Sequence, residues 1–112
     1  MDPMNVRMAR EIEERTRDVR EDIAEHAQTV VFAMFLQTAP DNIEGRVDCR
    51  TKEYADGIER VFLAFAEVIG RAKSVNGVKC SYSVVRGPIK NKPGFAESVA
   101  LVTKRVRSVG GA

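Results

Sequence analysis

The chain holds few side chains that act as metal ligands or as a catalytic base. It has one histidine, His26, which lies in an amphipathic stretch, and two cysteines, Cys49 and Cys80, which do not form a C-x-x-C pair. A structural zinc site needs four ligands that converge, and they commonly come from short paired spacings. We therefore predict no metal site and expect both thiols to be free, as is usual in a reducing cytosolic environment.

Carboxylates and hydroxyls are more abundant, but their spacing does not predict catalysis. Glu13–Glu14 and Glu21–Asp22 fall on a strongly charged stretch that we expect to be solvated. A catalytic carboxylate pair needs environments that separate the two pKa values. Ser81 and Ser83 lack a nucleophile-elbow pattern, and the chain has no phosphate-binding G-x-x-x-x-G-K-[ST] motif. We predict that the protein is not an enzyme and binds no cofactor.

The elements that position these side chains begin with one long helix. Apolar residues at alternating spacings of three and four predict a single helix from about Asn5 to Gln37. Residues 7–25 carry five arginines and seven acids, which leaves only a narrow apolar seam. Val30–Leu36 is apolar on all sides, as is typical of a buried helix. We expect residues 1–25 to project from a single domain that spans residues 1–112.

A projecting apolar seam needs a covering surface, and another subunit is the natural candidate. His26 occupies one seam position, where we expect an interface histidine rather than a catalytic base. The seam residues that we predict at this subunit interface are Ile12, Val19, Ile23, His26 and Val30.

The rest of the chain predicts an α+β fold. Pro40 ends the first helix, and Asp41, Asn42 and Gly45 supply turn residues. The predicted order is the long helix, a short strand (Arg46–Arg50), a second helix (Glu53–Ser74), a strand (Val78–Val84) and a final helix (Phe95–Ser108). The β-branched residues of Ser98–Val106 leave a strand open as the alternative to the final helix.

Charge is distributed unevenly along the chain, although the net charge is only +2. Residues 1–70 hold nine basic and fifteen acidic residues, whereas residues 71–112 hold nine basic residues and one acid, Glu97. Such asymmetry indicates a polyanionic partner or head-to-tail contact between copies. The predicted candidates for nonspecific nucleic-acid contact are Lys79, Arg86, Lys90, Lys92, Lys104, Arg105 and Arg107.

Membrane attachment is not predicted. The longest apolar stretch, Val30–Leu36, is far shorter than the roughly 20 residues that span a bilayer. The charged face of the first helix mixes acids and bases, whereas helices that lie on a membrane surface are mainly basic there.

Two short stretches resemble motifs of a known family. Thr38–Arg46 reads TAPDNIEGR, and Lys90–Phe95 reads KNKPGF. The order of features resembles the tail-completion, or neck, proteins of tailed bacteriophages. In that family a long N-terminal helix ends in a T-P-x-D-T-G-R type of turn, and a loop of the form S-K-x-x-P-x-G-[FM] leads into the final helix.

This resemblance implies a non-enzymatic structural protein of the virion, assembled in the host cytoplasm. It implies a ring of copies that joins head and tail, or completes the tail, around a DNA channel, together with contacts to other virion proteins. Separate acidic and basic parts of the chain suit the heterologous contacts that close into rings. The alternative is a small nucleic-acid-binding or regulatory protein that uses the basic C-terminal third.

Overall fold

The computed structural model of the protein describes residues 6–36, 42–71 and 79–106. The helices are α1 (Val6–Arg15), α2 (Glu21–Phe35) and α3 (Lys52–Gly70), and the strands are β1 (Asn42–Cys49), β2 (Lys79–Pro88) and β3 (Glu97–Val106). The chain is α+β, but the predicted element order is wrong. Among the described residues, two helices precede the first strand and two strands follow the third helix, so this part of the chain has neither one long N-terminal helix nor a final helix.

The predicted long helix is interrupted between α1 and α2. The α-helical backbone ends after Arg15, where the Thr16 hydroxyl donates a hydrogen bond to the Ile12 carbonyl at 2.8 Å, and Arg20 is extended (φ −54°, ψ 136°). No proline or glycine lies there, so the cause is tertiary. The interruption lets α1 and α2 both pack against α3, which one straight helix cannot do.

The first of these helices lies on α3 rather than projecting into solvent. Ile12 is only 2% exposed and belongs to the main hydrophobic core. Ion pairs between the two helices run in opposite sequence order, from Glu11 with Arg71 to Arg15 with Glu67, so α1 is antiparallel to α3. The seam that we expected to project is therefore covered within the same chain.

The sheet has three antiparallel strands in the order β1–β3–β2. In the register, Val47 pairs with Val99, and Val99 pairs with Arg86. Val47, Val99 and Leu101 are buried beneath α2 and α3. The other face of the sheet carries Glu44, Arg46, Asp48, Ser98, Ala100, Val102, Lys104, Ser81, Ser83 and Val85, and no helix or strand among the described residues covers it.

The predicted final helix is wrong, and the strand alternative is right. Val99 and Val102 also fit a helical stripe, but β3 forms two ladders, one with each neighbouring strand. The segment KNKPGF lies entirely in the hairpin loop between β2 and β3, where Asn91 and Gly94 have positive φ values of 65° and 73°. Pairing with a strand on each side outweighs the helical periodicity, and the β-branched residues of the segment suit a strand better than a helix.

Gly45 lies inside β1 and not in a turn. It faces α2, and a Cβ atom added there would lie 2.7 Å from the Val30 Cγ1 atom and 2.5 Å from the Met34 sulfur. Glycine therefore permits the close approach of α2 to β1. Of the motif that contains Gly45, residues 38–41, including Pro40, lie outside the described residues.

Candidate interaction surfaces

Ion pairs hold the N-terminal part of the chain on α3. Arg71 and Arg15 both pair with Glu11, Arg15 also pairs with Glu67, and Arg60 pairs with Asp18. All of these side chains are at least one-third exposed, so each pair contributes only about 0–1 kcal/mol. Together they fix the direction of α1, while the burial of Ile12 supplies the apolar attachment.

Arg86 forms a second ionic cluster on the helix side of the sheet. Its guanidinium donates hydrogen bonds to Asp56 at 2.7 Å, Glu59 at 3.1 Å and Glu97 at 2.5 Å, and its side chain is only 20% exposed. These carboxylates, with Asp56 first, raise the pKa of Arg86 above its usual value. Arg86 therefore ties β2 to α3 and β3, and its charge is neutralised within the chain.

The predicted subunit-interface residues differ in their exposure to solvent. Ile12 and Ile23 are buried in the core of the same chain, at 2% and 1% exposure, and Val19 and Val30 are half-buried. His26 is exposed on α2, where its Nδ1 atom lies 2.5 Å from the Tyr54 hydroxyl of α3. Most of the apolar seam is thus used in folding, and it is not a continuous surface for another subunit.

The basic residues predicted to contact nucleic acid do not form one surface, as far as their side chains are described. Lys90 and Lys92 are exposed in the hairpin loop, and Lys104 is exposed on the uncovered face of the sheet. Arg86 faces the helices instead. The structure places Lys79 and Arg105 on β2 and β3 without describing their side chains, and Arg107 lies outside the described residues.

Neither thiol belongs to a cluster that would indicate chemistry. Cys49 is buried beneath the helices, and burial raises the pKa of its thiol. Cys80 is exposed on β2. Within the described part of the chain, no three histidine, cysteine or acidic side chains are grouped so that they could hold a metal ion.

A shallow groove of about 720 Å³ runs between the α1–α2 connection and α3. Val19 and Ile23 form part of its floor, where Gly57 allows close packing: a Cβ atom there would lie 2.7 Å from the Ile23 Cγ2 atom. The charged residues of the groove are Asp18, Arg20, Lys52, Glu53, Asp56 and Arg60. Because all six are engaged in ion pairs with residues of the same chain, the groove has no free charge that selects a ligand.

Two surfaces were not predicted from the sequence: the uncovered face of the sheet and the outer edge of β2. Alternation of Cys80, Tyr82 and Val84 with Ser81 and Ser83 predicts a strand with one face in solvent. It does not reveal whether that strand lies at the edge or in the centre of the sheet. Strand order depends on pairing between distant segments, so only the three-dimensional structure supplies it.

Comparison with known protein families, curated proteins and solved structures finds no match for this chain. Within the described ranges, no helix is both long enough and apolar enough to cross a membrane.

Proposed function

We propose that this protein is a non-enzymatic structural subunit that acts by assembling with further copies and with other proteins. The observation that carries the proposal is the position of its uncovered surface. α2 and α3 cover one face of a three-stranded sheet, and the opposite face exposes short side chains such as Ser81, Ser83 and Val85. Short side chains leave a shallow surface that suits another layer of protein better than a small ligand, which favours concave sites.

The place of assembly that we propose is the neck or tail of a tailed bacteriophage. The support for this placement is the resemblance carried by TAPDNIEGR and KNKPGF. The part of this resemblance that depends on a long first helix and a final helix is lost, because the described ranges contain neither. The acidic first part and the basic last part of the chain remain consistent with head-to-tail contacts in a ring.

Electron microscopy of the purified full chain, alone and mixed with the products of neighbouring genes, tests this proposal. We expect rings, or attachment to a ring formed by a partner, and we expect neighbouring genes that encode portal, capsid or tail-tube proteins. Isolated compact particles under all conditions, in a genomic setting without virion genes, would contradict the phage placement.

Nucleic-acid binding is a weaker proposal because its basic residues are dispersed. Lys90, Lys92 and Lys104 are exposed and would supply only nonspecific phosphate contacts. If such contacts matter, binding to duplex DNA must weaken steeply with salt, and Lys90→Glu combined with Lys92→Glu must reduce it. Binding that is absent, or that does not respond to salt, would remove this alternative.

A further inference from the structure

The outer edge of β2 is a long strand edge without a partner in the described structure. β2 spans ten residues, Lys79–Pro88, and it pairs with β3 along one side only. No other strand among the described residues pairs with its opposite side. An unpaired edge of this length is a template for pairing with another chain unless charge, proline or a bulge protects it.

The solvent-facing residues of β2 provide little such protection. Ser81, Ser83 and Val85 occupy the central positions on the uncovered face, and Val85 is 57% exposed. Pro88 lies at the very end of the strand, where it does not interrupt pairing along the rest. As far as the structure describes the chain, the central part of the edge is therefore open to a second strand.

Apolar side chains continue this edge onto the helix layer. Asp56 and Glu59 of α3 contact Arg86 of β2, and Gly70 of α3 lies next to Tyr82 of β2. Leu63 lies on the same stripe of α3 as these residues, at helical spacing from each, and is 43% exposed. Tyr82 and Val84, on the helix side of β2, are only half-buried. We call the free edge of β2 together with Leu63, Tyr82, Val84 and Val85 the β2-edge surface.

Charge at the β2-edge surface permits contact with an identical surface. Arg86 is the charged residue nearest its centre, and it pairs with three carboxylates of the same chain, one of which also pairs with Lys52. Two cations against three carboxylates leave a net charge of about −1 on this cluster, which salt screens, so two copies can approach each other without strong repulsion. β1, at the opposite edge of the sheet, differs because its solvent-facing residues are Glu44, Arg46 and Asp48. Charges along an edge strand are a common protection against pairing.

Strand direction separates the two ways in which copies could share a sheet. β1 and β2 run in the same direction because both are antiparallel to β3. If β2 of one copy paired with β1 of the next copy in a continuous sheet, the two strands would therefore be parallel. Parallel pairs occur almost only in sheets covered on both faces, and no described helix or strand of the single chain covers the second face of this sheet. Pairing of β2 with β2 across a twofold axis is antiparallel, which is compatible with an open face.

We propose that the β2-edge surface binds the same surface of a second copy of this chain, forming a twofold six-stranded sheet with α3 of each copy at the junction. A ten-residue strand is about 34 Å long, and a sheet with one helix layer is about 20 Å high. The contact would therefore bury roughly 700 Å² of surface on each copy. A total of about 1,400 Å² lies within the usual range for stable interfaces. This contact does not depend on the phage placement. A twofold contact is complete with two copies, so it needs neither a ring nor another virion protein.

Sedimentation equilibrium of the full chain and four single variants tests the proposal. Ser83→Lys places like charges opposite each other near the twofold axis, and Leu63→Ser removes the apolar contact between the helices. The controls are Ser98→Lys, on the same open face but on the central strand, and Leu36→Ser, on α2, where Leu36 is 84% exposed. Circular dichroism establishes that each variant is folded.

We expect the natural sequence to form a dimer, which Ser83→Lys and Leu63→Ser weaken by about tenfold each while the controls remain dimeric. If Ser83→Lys does not fold, Leu63→Ser alone decides the outcome. A monomeric natural sequence, or an oligomer that both test variants leave intact, would overturn the proposal. An oligomer larger than a dimer that Ser83→Lys converts directly to monomers would overturn it as well.

Discussion

Arg86 shows how a single side chain can be assigned the wrong role from sequence. As one of several cations in the C-terminal third, it resembled a phosphate contact. In the structure, its guanidinium is enclosed by Asp56, Glu59 and Glu97, which lie elsewhere in the sequence. The residue therefore contributes to the stability of the fold, and it is poorly placed for a ligand.

Replacing Arg86 with methionine tests this structural role. Three carboxylates would lose their common partner in a site where the arginine side chain is only 20% exposed. Breaking a fully buried pair costs about 3–5 kcal/mol, but these carboxylates are 24–43% exposed and Asp56 keeps its pair with Lys52. We therefore expect the free energy of unfolding to fall by about 1–2 kcal/mol. Urea denaturation measures the change.

Arg46→Met is the matched control for that substitution. Arg46 donates a hydrogen bond to Asp48 at 3.0 Å on the open face, and both side chains are more than half exposed. Loss of this pair should cost no more than about 1 kcal/mol. Equal effects of the two substitutions would contradict the stabilising role that we assign to Arg86.

The ion pairs of α1 and α3 also make stability depend on pH. A hydrogen bond from Arg71 holds the pKa of Glu11 below its usual 4.5, and hydrogen bonds from Lys52 and then Arg86 hold that of Asp56 below 3.8. The unfolded chain thus binds protons before the folded chain does, so the contribution is present above these usual values and is lost on acidification.

We therefore expect the free energy of unfolding to fall as pH is lowered from about 5 towards 3. Arg71→Met should reduce the part of this slope that Glu11 contributes, because the cation that lowers its pKa is removed. Urea denaturation at a series of pH values measures the slope. Stability that increases on acidification over this range would be inconsistent with these ion pairs.

Among the elements, the meeting of α2 and β1 gives Gly45 a role that its sequence context did not suggest. Within TAPDNIEGR it resembled a turn residue, but it lies in a strand under Val30 and Met34. Val30, which we predicted at a subunit interface, packs here within the chain. Alanine at position 45 would force Val30 or Met34 to move.

We expect Gly45→Ala to lower the free energy of unfolding by about 1–3 kcal/mol, as is usual when a well-packed site receives an extra methyl group. Gly87→Ala is the control, since nothing lies within 4 Å of a Cβ atom at that strand position. It should be neutral or slightly stabilising, because alanine restricts the unfolded chain more than glycine does. Thermal or urea denaturation that ranks the two variants in the opposite order would contradict this packing.

The sequence predicts an element well when local pattern and tertiary contacts agree. In α3, the capping hydroxyl of Thr51 and the apolar stripe through Ile58, Phe62 and Phe65 give the correct helix, although its end lies at Gly70 and not at Ser74. For β2, the alternation is equally clear.

At the interruption between α1 and α2, local pattern and tertiary contacts disagree. The apolar spacing of the seam continues through residues 16–20, but packing on α3 breaks the helix there. Acids at Glu21 and Asp22, which favour a helix start, are a signal that could have located it.

In β3, local pattern does not select one structure, and pairing with other strands does. Its apolar residues satisfy a helical period and a strand equally well, and two neighbouring strands select the strand. The candidate site was harder still to predict. Whether β2 lies at the edge of the sheet, and which face the helices cover, depend on contacts between segments far apart in the chain.

For the whole molecule, the central feature is the difference between the covered and the uncovered face of its sheet. α2 and α3 cover one face of the sheet and α1 packs on α3, while the other face and the outer edge of β2 remain without a partner in the described structure. The N-terminal helices, which we expected to supply the subunit contact, are instead committed to the core. Our account therefore moves the assembly surface from the N-terminal seam to the sheet.

Hydrogen–deuterium exchange of the full chain at low and high protein concentration tests this relocation most directly. Strand pairing between copies would protect backbone amides of β2 as concentration rises, whereas exchange in α1 and α2 would stay unchanged. We predict that concentration-dependent protection centres on residues 81–87. Protection that appears instead on α1 and α2, or that is absent at every concentration, would contradict our account of how this protein assembles.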